Sequence, residues 1–168
     1  MGRISPAYRI SESTDPEVWR FSNWDAMEIV ADSNGYRLPT EAQWEYAAKG
    51  GDGSPGNYTY SGSNNADDVA WYGDNSNSMT HEVGKKAPNG LGLYDMSGNV
   101  DEWCLDYYVQ DSYTSDNIRR WYKDNKECRV ARGGGWLLSA KYVRSACRVS
   151  DNYMHEGYYD VGFRLVRP

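Results

Sequence analysis

Five side chains hold most of the soft-metal and nucleophile chemistry open to this sequence: His81, His155, Cys104, Cys128 and Cys147. The cysteines lie far apart with no CxxC pair, which argues against a zinc site. One disulfide among the three would leave a thiol over. A non-haem iron centre needs two histidines and a carboxylate converging. His81, in "THEVG", reads more simply as a loop histidine with structural hydrogen bonds, and a lone Cys147 in strand-like context reads as a small hydrophobe. A hard cation is better served. In "DMSGNVDE", Asp95, Gly98, Val100 and Glu102 are spaced so that acid oxygens and backbone carbonyls can wrap calcium. The same two carboxylates could equally cap turns with no metal present.

The rest of the composition bounds what these groups can serve. At 168 residues one domain, residues 1–168, is the natural expectation. A net charge of −6 argues against nucleic acid as a general partner, because neutralising phosphate needs a basic face. No apolar run is long enough to insert in a membrane, and "MGRISPAYRI" carries no secretory signal. Fifteen Tyr and 7 Trp against 2 Phe favour half-buried positions and contact surfaces, and 17 Gly point to a loop-rich chain.

Several elements can be placed. In "LPTEAQWEYAAKGG", Thr40 and Gln43 have capping-box spacing, which predicts a helix from Glu41 to Lys49 with Trp44, Ala47 and Ala48 turned inward and Gly50-Gly51 closing it. "NWDAMEIVADSNG" fits strand or helix, and a short helix could start at Asp15-Pro16. From Gly51 to Asn89 the chain is mostly Gly, Ser, Asn, Asp and Pro, so it must be functional or tied down by something other than a core. Strand-like runs follow at "LGLYDM", "VDEWCLDYY", "CRVARGG", "YVRSACRVS" and "VGFRLV", whose alternation predicts half-buried antiparallel strands. Arg132, Arg144, Arg148 and Arg164 sit among apolar residues, where they should bond carbonyls or pair with carboxylates such as Glu45. Trp136 and Phe163 read as core.

Three stretches, "NGYRLPTEAQWEYAAKGG", "PNGLGLYDMSGNVDEW" and "RVARGGGWLLSAKYVRSACR…DVGFRLV", together resemble the formylglycine-generating-enzyme (sulfatase-modifying-factor) family. The resemblance covers Asn34 to Val166 and implies an α+β, C-type-lectin-like fold: loop-rich, with small antiparallel sheets and one or two helices. Upstream of "GYRLPTE" the family's pattern is faint, which implies a shortened N-terminal segment. The resemblance also implies that Asp95, Gly98, Val100 and Glu102 form a structural calcium site, although Asp101 stands where an aromatic is usual. Enzymes of the family use two cysteines to bind copper(I), and those positions map onto Leu138 and Val143, neither of which can ligate a metal. No copper and no enzyme activity of that type are therefore expected. An iron-using branch is similar too, but its histidine set lies in an additional helical domain that has no counterpart here.

A further branch, the variable proteins of diversity-generating retroelements, resembles residues 132–164 in particular. Its template carries "GGSW" and an Asn run, then framework, then a second Asn run before "GFR", and adenine-directed mutagenesis rewrites the Asn codons. Here Gly135 replaces that Ser, while Leu137, Leu138 and Ser139 occupy the first run. Asp151, Asn152, Tyr153, Met154, His155, Glu156, Tyr158 and Tyr159 fall in the second. Tyr-rich irregular loops on a rigid scaffold have the composition of antibody-like contact surfaces. The same tyrosines would also suit a core, but adjacent leucines cannot both point inward from a strand, so one of Leu137 and Leu138 should be exposed. The resemblance implies an exported or cell-surface protein that binds a protein or other macromolecular ligand without catalysis. The remaining alternative is an enzyme of the family with an altered centre.

Overall fold

The computed structural model describes residues 8–10, 27–30, 33–52, 57–108, 129–151 and 159–167. The chain divides into two compact units, residues 1–38 with 165–168, and residues 39–164. In the first unit, β1 (Tyr8–Ile10) and β2 (Met27–Ile29) pair antiparallel, with Tyr8 opposite Ile29. The ambiguous "NWDAMEIVADSNG" run is thus strand at its centre. The start expected at Asp15-Pro16 lies outside the described residues. Arg37 and Val166 exchange backbone hydrogen bonds of 3.0 and 2.8 Å.

The second unit begins with α1 (Glu41–Ala48), whose start is the predicted capping box: the Thr40 side chain accepts from the Gln43 N–H, and the Gln43 side chain accepts from the Thr40 N–H. A Thr cap of this kind contributes about 1 kcal/mol. Trp44 and Ala48 face inward and join Met96, Cys104 and Val130 in one apolar cluster. A second cluster gathers Ala66, Ala70, Tyr72 and Val143 beneath α2 (Ala66–Val69) and β3 (Ala70–Trp71).

β3 pairs in parallel with β4 (Ser97–Gly98), and the approach is so close that a Cβ on Gly98 would lie 2.3 Å from the Trp71 carbonyl oxygen. The main sheet holds β5 (Asp101–Tyr107), β6 (Arg129–Arg132), β7 (Arg148–Asp151) and β8 (Val161–Gly162), in the order β7-β6-β5-β8. β5, β6 and β7 are antiparallel neighbours, as predicted, but β8 runs parallel to β5. β7 and β8 lie on the two edges of this sheet and run in the same direction.

Further sequence expectations need correction. "LGLYDM" is not a strand, because the Asn89 side chain accepts the N–H groups of Leu91 and Leu93 that a ladder would use. The first half of "YVRSACRVS" closes on local bonds, a 3-10 turn at Ala140–Tyr142 and a Cys147 N–H donated to the Arg144 carbonyl, so strand begins only at Arg148. Phe163 is 66% exposed rather than core, since β8 ends one residue before it.

The long polar stretch is held by asparagine side chains acting as backbone partners. Asn89 donates to the Ala47 carbonyl and the Ser61 hydroxyl, and Asn75 bonds Tyr72 N–H, the Ala70 carbonyl and Asp67. The arginines do the same for the sheet. Arg132, wholly buried, donates to Glu41 (2.6 Å), Glu45 (2.7 Å) and the Ser145 carbonyl (2.7 Å). Arg148 forks onto Glu41, and Arg164 forks onto Glu102. Arg144 is the exception among the four: it is exposed and bonds only a local carbonyl, that of Lys141.

Candidate ligand-binding surface

Where β6 ends, Gly133 and Gly134 turn the chain with φ of 97° and 74°. A Cβ on Gly134 would come within 2.8 Å of the Tyr142 carbonyl oxygen and of Val143, so only glycine lets the turn sit against the following segment. Asp101 completes it: its carboxylate accepts the Gly134 N–H at 2.9 Å, and its own N–H donates to the Asp160 carbonyl at 2.9 Å. One buried acid thus ties the opening of the first run to the residue that follows the second. Next, the Trp136 N–H donates to the Asn99 carbonyl, and the Leu138 N–H closes a turn onto Gly135. Asn99 has φ 69° and bonds His81 backbone groups with both ends of its amide.

That frame presents the first run. Leu137 is 47% exposed, Ser139 is exposed, and Leu138 is half-buried, so the adjacent leucines divide as expected. Gly135, expected among the contact residues, is buried against Asp160, whose carbonyl oxygen lies 3.5 Å from where a Cβ would stand. A Cβ there would make only ordinary contact, so it is burial that separates Gly135 from the contact residues. In the second run, Tyr159 is 71% exposed and its ring lies 6.1 Å from that of Trp136, tilted by 48°. Asp151 ends β7; Asn152, Tyr153, Met154, His155, Glu156 and Tyr158 lie outside the described residues. Gly135-Trp136 thus approaches Tyr159-Asp160, at the end of the second run. Sequence reasoning placed Trp136 in the core. It is instead the half-buried wedge between the runs, and its position directly after the glycine turn was the available signal.

The titratable candidates have other work. His81 stacks on Trp71 at 3.8 Å, and its Nε2 lies 2.7 Å from the Ser76 carbonyl oxygen, which places a proton on that nitrogen. Cys104 and Cys147 are free thiols, and burial pushes both above the ordinary thiol range, away from the thiolate a nucleophile needs. Cys128 and His155 lie outside the described residues. At the mapped copper positions Leu138 is half-buried and Val143 is part of the second apolar cluster.

The calcium candidates divide. Asp95 Oδ1 is buried with no partner among the described residues, an acceptor of the kind a hard cation takes, while Oδ2 accepts the Gly84 N–H. Glu102 is already committed: Oε2 accepts from the Trp44 indole and Arg164, and Oε1 from Arg164. No group of three His, Cys, Asp or Glu side chains placed to hold a metal occurs among the described residues. The fit is therefore good at Asp95 and partial at Glu102.

Residues 5–168 match the Sulfatase-modifying factor enzyme 1-like domain, and the chain belongs to that family. Among solved structures it is similar to Treponema denticola variable protein 1, with TM-score 0.73 and 43% identity over 86% of this chain and 52% of that one. Among curated proteins it is 42% identical to the Chaperone protein LppX of Paenibacillus barcinonensis, over 81% of this chain and 52% of that protein. It is 33% identical to the Formylglycine-generating enzyme of Thermomonospora curvata, over 71% of this chain and 45% of that enzyme. The chain spans about half the length of each of these three relatives. The α+β, loop-rich fold of the formylglycine-generating type is thus established. No helix among the described residues is long and apolar enough to cross a membrane.

Proposed function

We propose that this chain is a non-enzymatic binding module of the receptor type. Its contact surface comprises Leu137, Leu138 and Ser139 with the run from Asp151 to Tyr159. The observation that carries the reading is the Trp136–Tyr159 contact: it joins the residue beside exposed Leu137 to exposed Tyr159, the last residue of the second run, across β7 and the turn before it. Gly133, Gly134 and Asp101 fix the backbone that opens the first run, so the contact side chains after it are free to differ. Such division between frame and contact is what a surface of changeable specificity requires. The likeness to a variable protein supports the further reading that these positions are diversified by a retroelement, and an exported or cell-surface location goes with it. Calcium belongs to the proposal as a structural cation. Asp95 and the backbone carbonyls of Gly98 and Val100 would hold it, with Glu102 reaching it through an oxygen shared with Arg164. It would tie down a loop that has little core.

The test is a displayed library randomised at Leu137, Leu138, Ser139, Tyr153, His155, Glu156, Tyr158 and Tyr159, selected against a purified lysozyme as a model protein ligand. Binders with nearly unchanged melting temperature are expected. A library that is mostly unfolded, or that yields none, overturns the reading. The second reading, an enzyme with an altered centre, draws on the enzymes among the relatives and is separated by the copper assay in the Discussion.

A further inference from the structure

Within the polar stretch between residues 51 and 89, the loop from Gly73 to Thr80 contributes nothing to either apolar cluster. This loop is fastened to the first contact run. The Gly73 N–H donates to the Leu138 carbonyl at 2.8 Å. A Cβ on Gly73 would lie 3.1 Å from the Leu138 carbonyl oxygen and 3.3 Å from that of Leu137, so a side chain would crowd this approach. Three residues on, the buried Ser76 hydroxyl donates to the Trp136 carbonyl at 2.8 Å. Ser76 is gripped from its other side by His81 Nε2, and its hydroxyl also accepts the Ser78 N–H. The loop and the run thus share a backbone seam at Trp136 and Leu138.

Beyond that seam the loop is rigid in backbone and open in side chain. Asn77 and Ser78 are consecutive non-glycine residues in the left-handed region, with φ of 54° and 56°. Such conformations persist only where the surroundings over-determine them. Asp74, Asn77, Ser78 and Thr80 are exposed, and Met79, its N–H bonded to the Ser76 carbonyl, is 55% exposed. The backbone of a pre-set turn loses little freedom on binding, and an exposed methionine adapts its thioether chain to differing apolar surfaces.

Resting on the binding reading above, we propose that Gly73–Thr80 is a third contact loop of the same surface. Met79 is its apolar contact, and the ligand is the surface of a folded protein. Leu137, Tyr159 and Met79 are apolar or aromatic and stand on loops, while Asp74 is the charged residue of the third loop. Protein interfaces concentrate aromatic and methionine side chains at their centre and keep charge to the rim. The loop lies outside both variable runs, so it supplies a constant contact beside changeable ones.

Lysozyme binders from the library above provide the test. Met79→Ala is expected to weaken lysozyme binding tenfold or more in most independent binders, with melting temperature unchanged because the side chain is exposed. Amide hydrogens of residues 77–80 should also gain protection from exchange when lysozyme is added. Binders indifferent to Met79→Ala, with no protection at 77–80, overturn the third loop and leave the two-run surface standing. A library without lysozyme binders overturns both.

Discussion

Replacing Arg132 by methionine removes the cation shared by Glu41 and Glu45 and leaves the Ser145 carbonyl without that donor. Breaking a buried ion pair from one side costs about 3–5 kcal/mol. Glu41 keeps Arg148 and Glu45 keeps Lys49, so the loss should sit at the lower end, about 3 kcal/mol. For a chain of this size that lowers the melting temperature by about 6–12 °C. The pH dependence gives a second check. Burial pushes the Glu45 carboxyl up, but hydrogen bonds and charge from Lys49 and Arg132 outweigh it, and its pKa lies below the ordinary value. A carboxyl lowered by folding adds stability above its unfolded pKa and loses it as pH falls through the folded one. In the variant, burial acts on Glu45 without Arg132 to oppose it. The gap between the two proteins should therefore narrow as pH drops from about 5 to 3. Asp106 works in the opposite sense, its carboxyl pushed up chiefly by burial, but it is present in both proteins and largely cancels. Urea titrations at neutral and acid pH, with slopes compared, measure both effects. A loss under about 1 kcal/mol, or a gap that stays constant with pH, would refute the reasoning.

Gly98→Ala should prevent folding, since its Cβ would stand 2.3 Å from the Trp71 carbonyl oxygen, whereas Gly92→Ala, with φ 74° but nothing within 4 Å, should cost only about 1–2 kcal/mol. Equal yields and melting temperatures for the two variants would contradict the close β3–β4 approach. Chelation should lower the melting temperature, and Asp95→Asn should abolish that difference, because a cation bound only by the folded state stabilises it by mass action. Identical melting in calcium and in chelator would leave Asp95 a turn residue. A cysteine-containing sulfatase peptide supplied with copper should not be oxidised, and turnover of that peptide would refute the binding reading.

What could be read in the sequence were the features whose cause is local. The Thr40–Gln43 cap needs only its own turn, and β5 and β6 carry strand-favouring Trp103, Tyr107 and Val130. The pairing of arginines with acids was legible in kind but not in partner: Glu45 was foreseen, while Glu41 as the shared anchor of Arg132 and Arg148 depends on how α1 crosses the sheet. "LGLYDM" misled because apolar alternation says nothing about which groups compete for the backbone, and Asn89 wins that competition. Phe163 misled because a two-residue strand buries little beyond its own ends. For the binding surface, the exposure of Leu137 and Tyr159 followed from composition and resemblance. The wedge at Trp136 and the seam to Gly73 did not, since both are made by contacts distant in sequence.

Asn89 precedes Gly90, and an Asn-Gly pair is the peptide sequence most prone to lose its side-chain amide through attack by the following backbone nitrogen. In this fold the amide is clamped at both ends: its nitrogen donates at 2.7 and 2.9 Å, and its oxygen accepts at 2.9 and 3.1 Å. The rotation needed for ring closure would break those bonds together, so the native protein shields this weak point. Once the chain opens, the protection is gone, and the resulting carboxylate would face the Ala47 carbonyl with no proton to offer. Each excursion from the native state can then leave a covalent mark that hinders return. Slow chemical ageing at this position would count how often the molecule has unfolded.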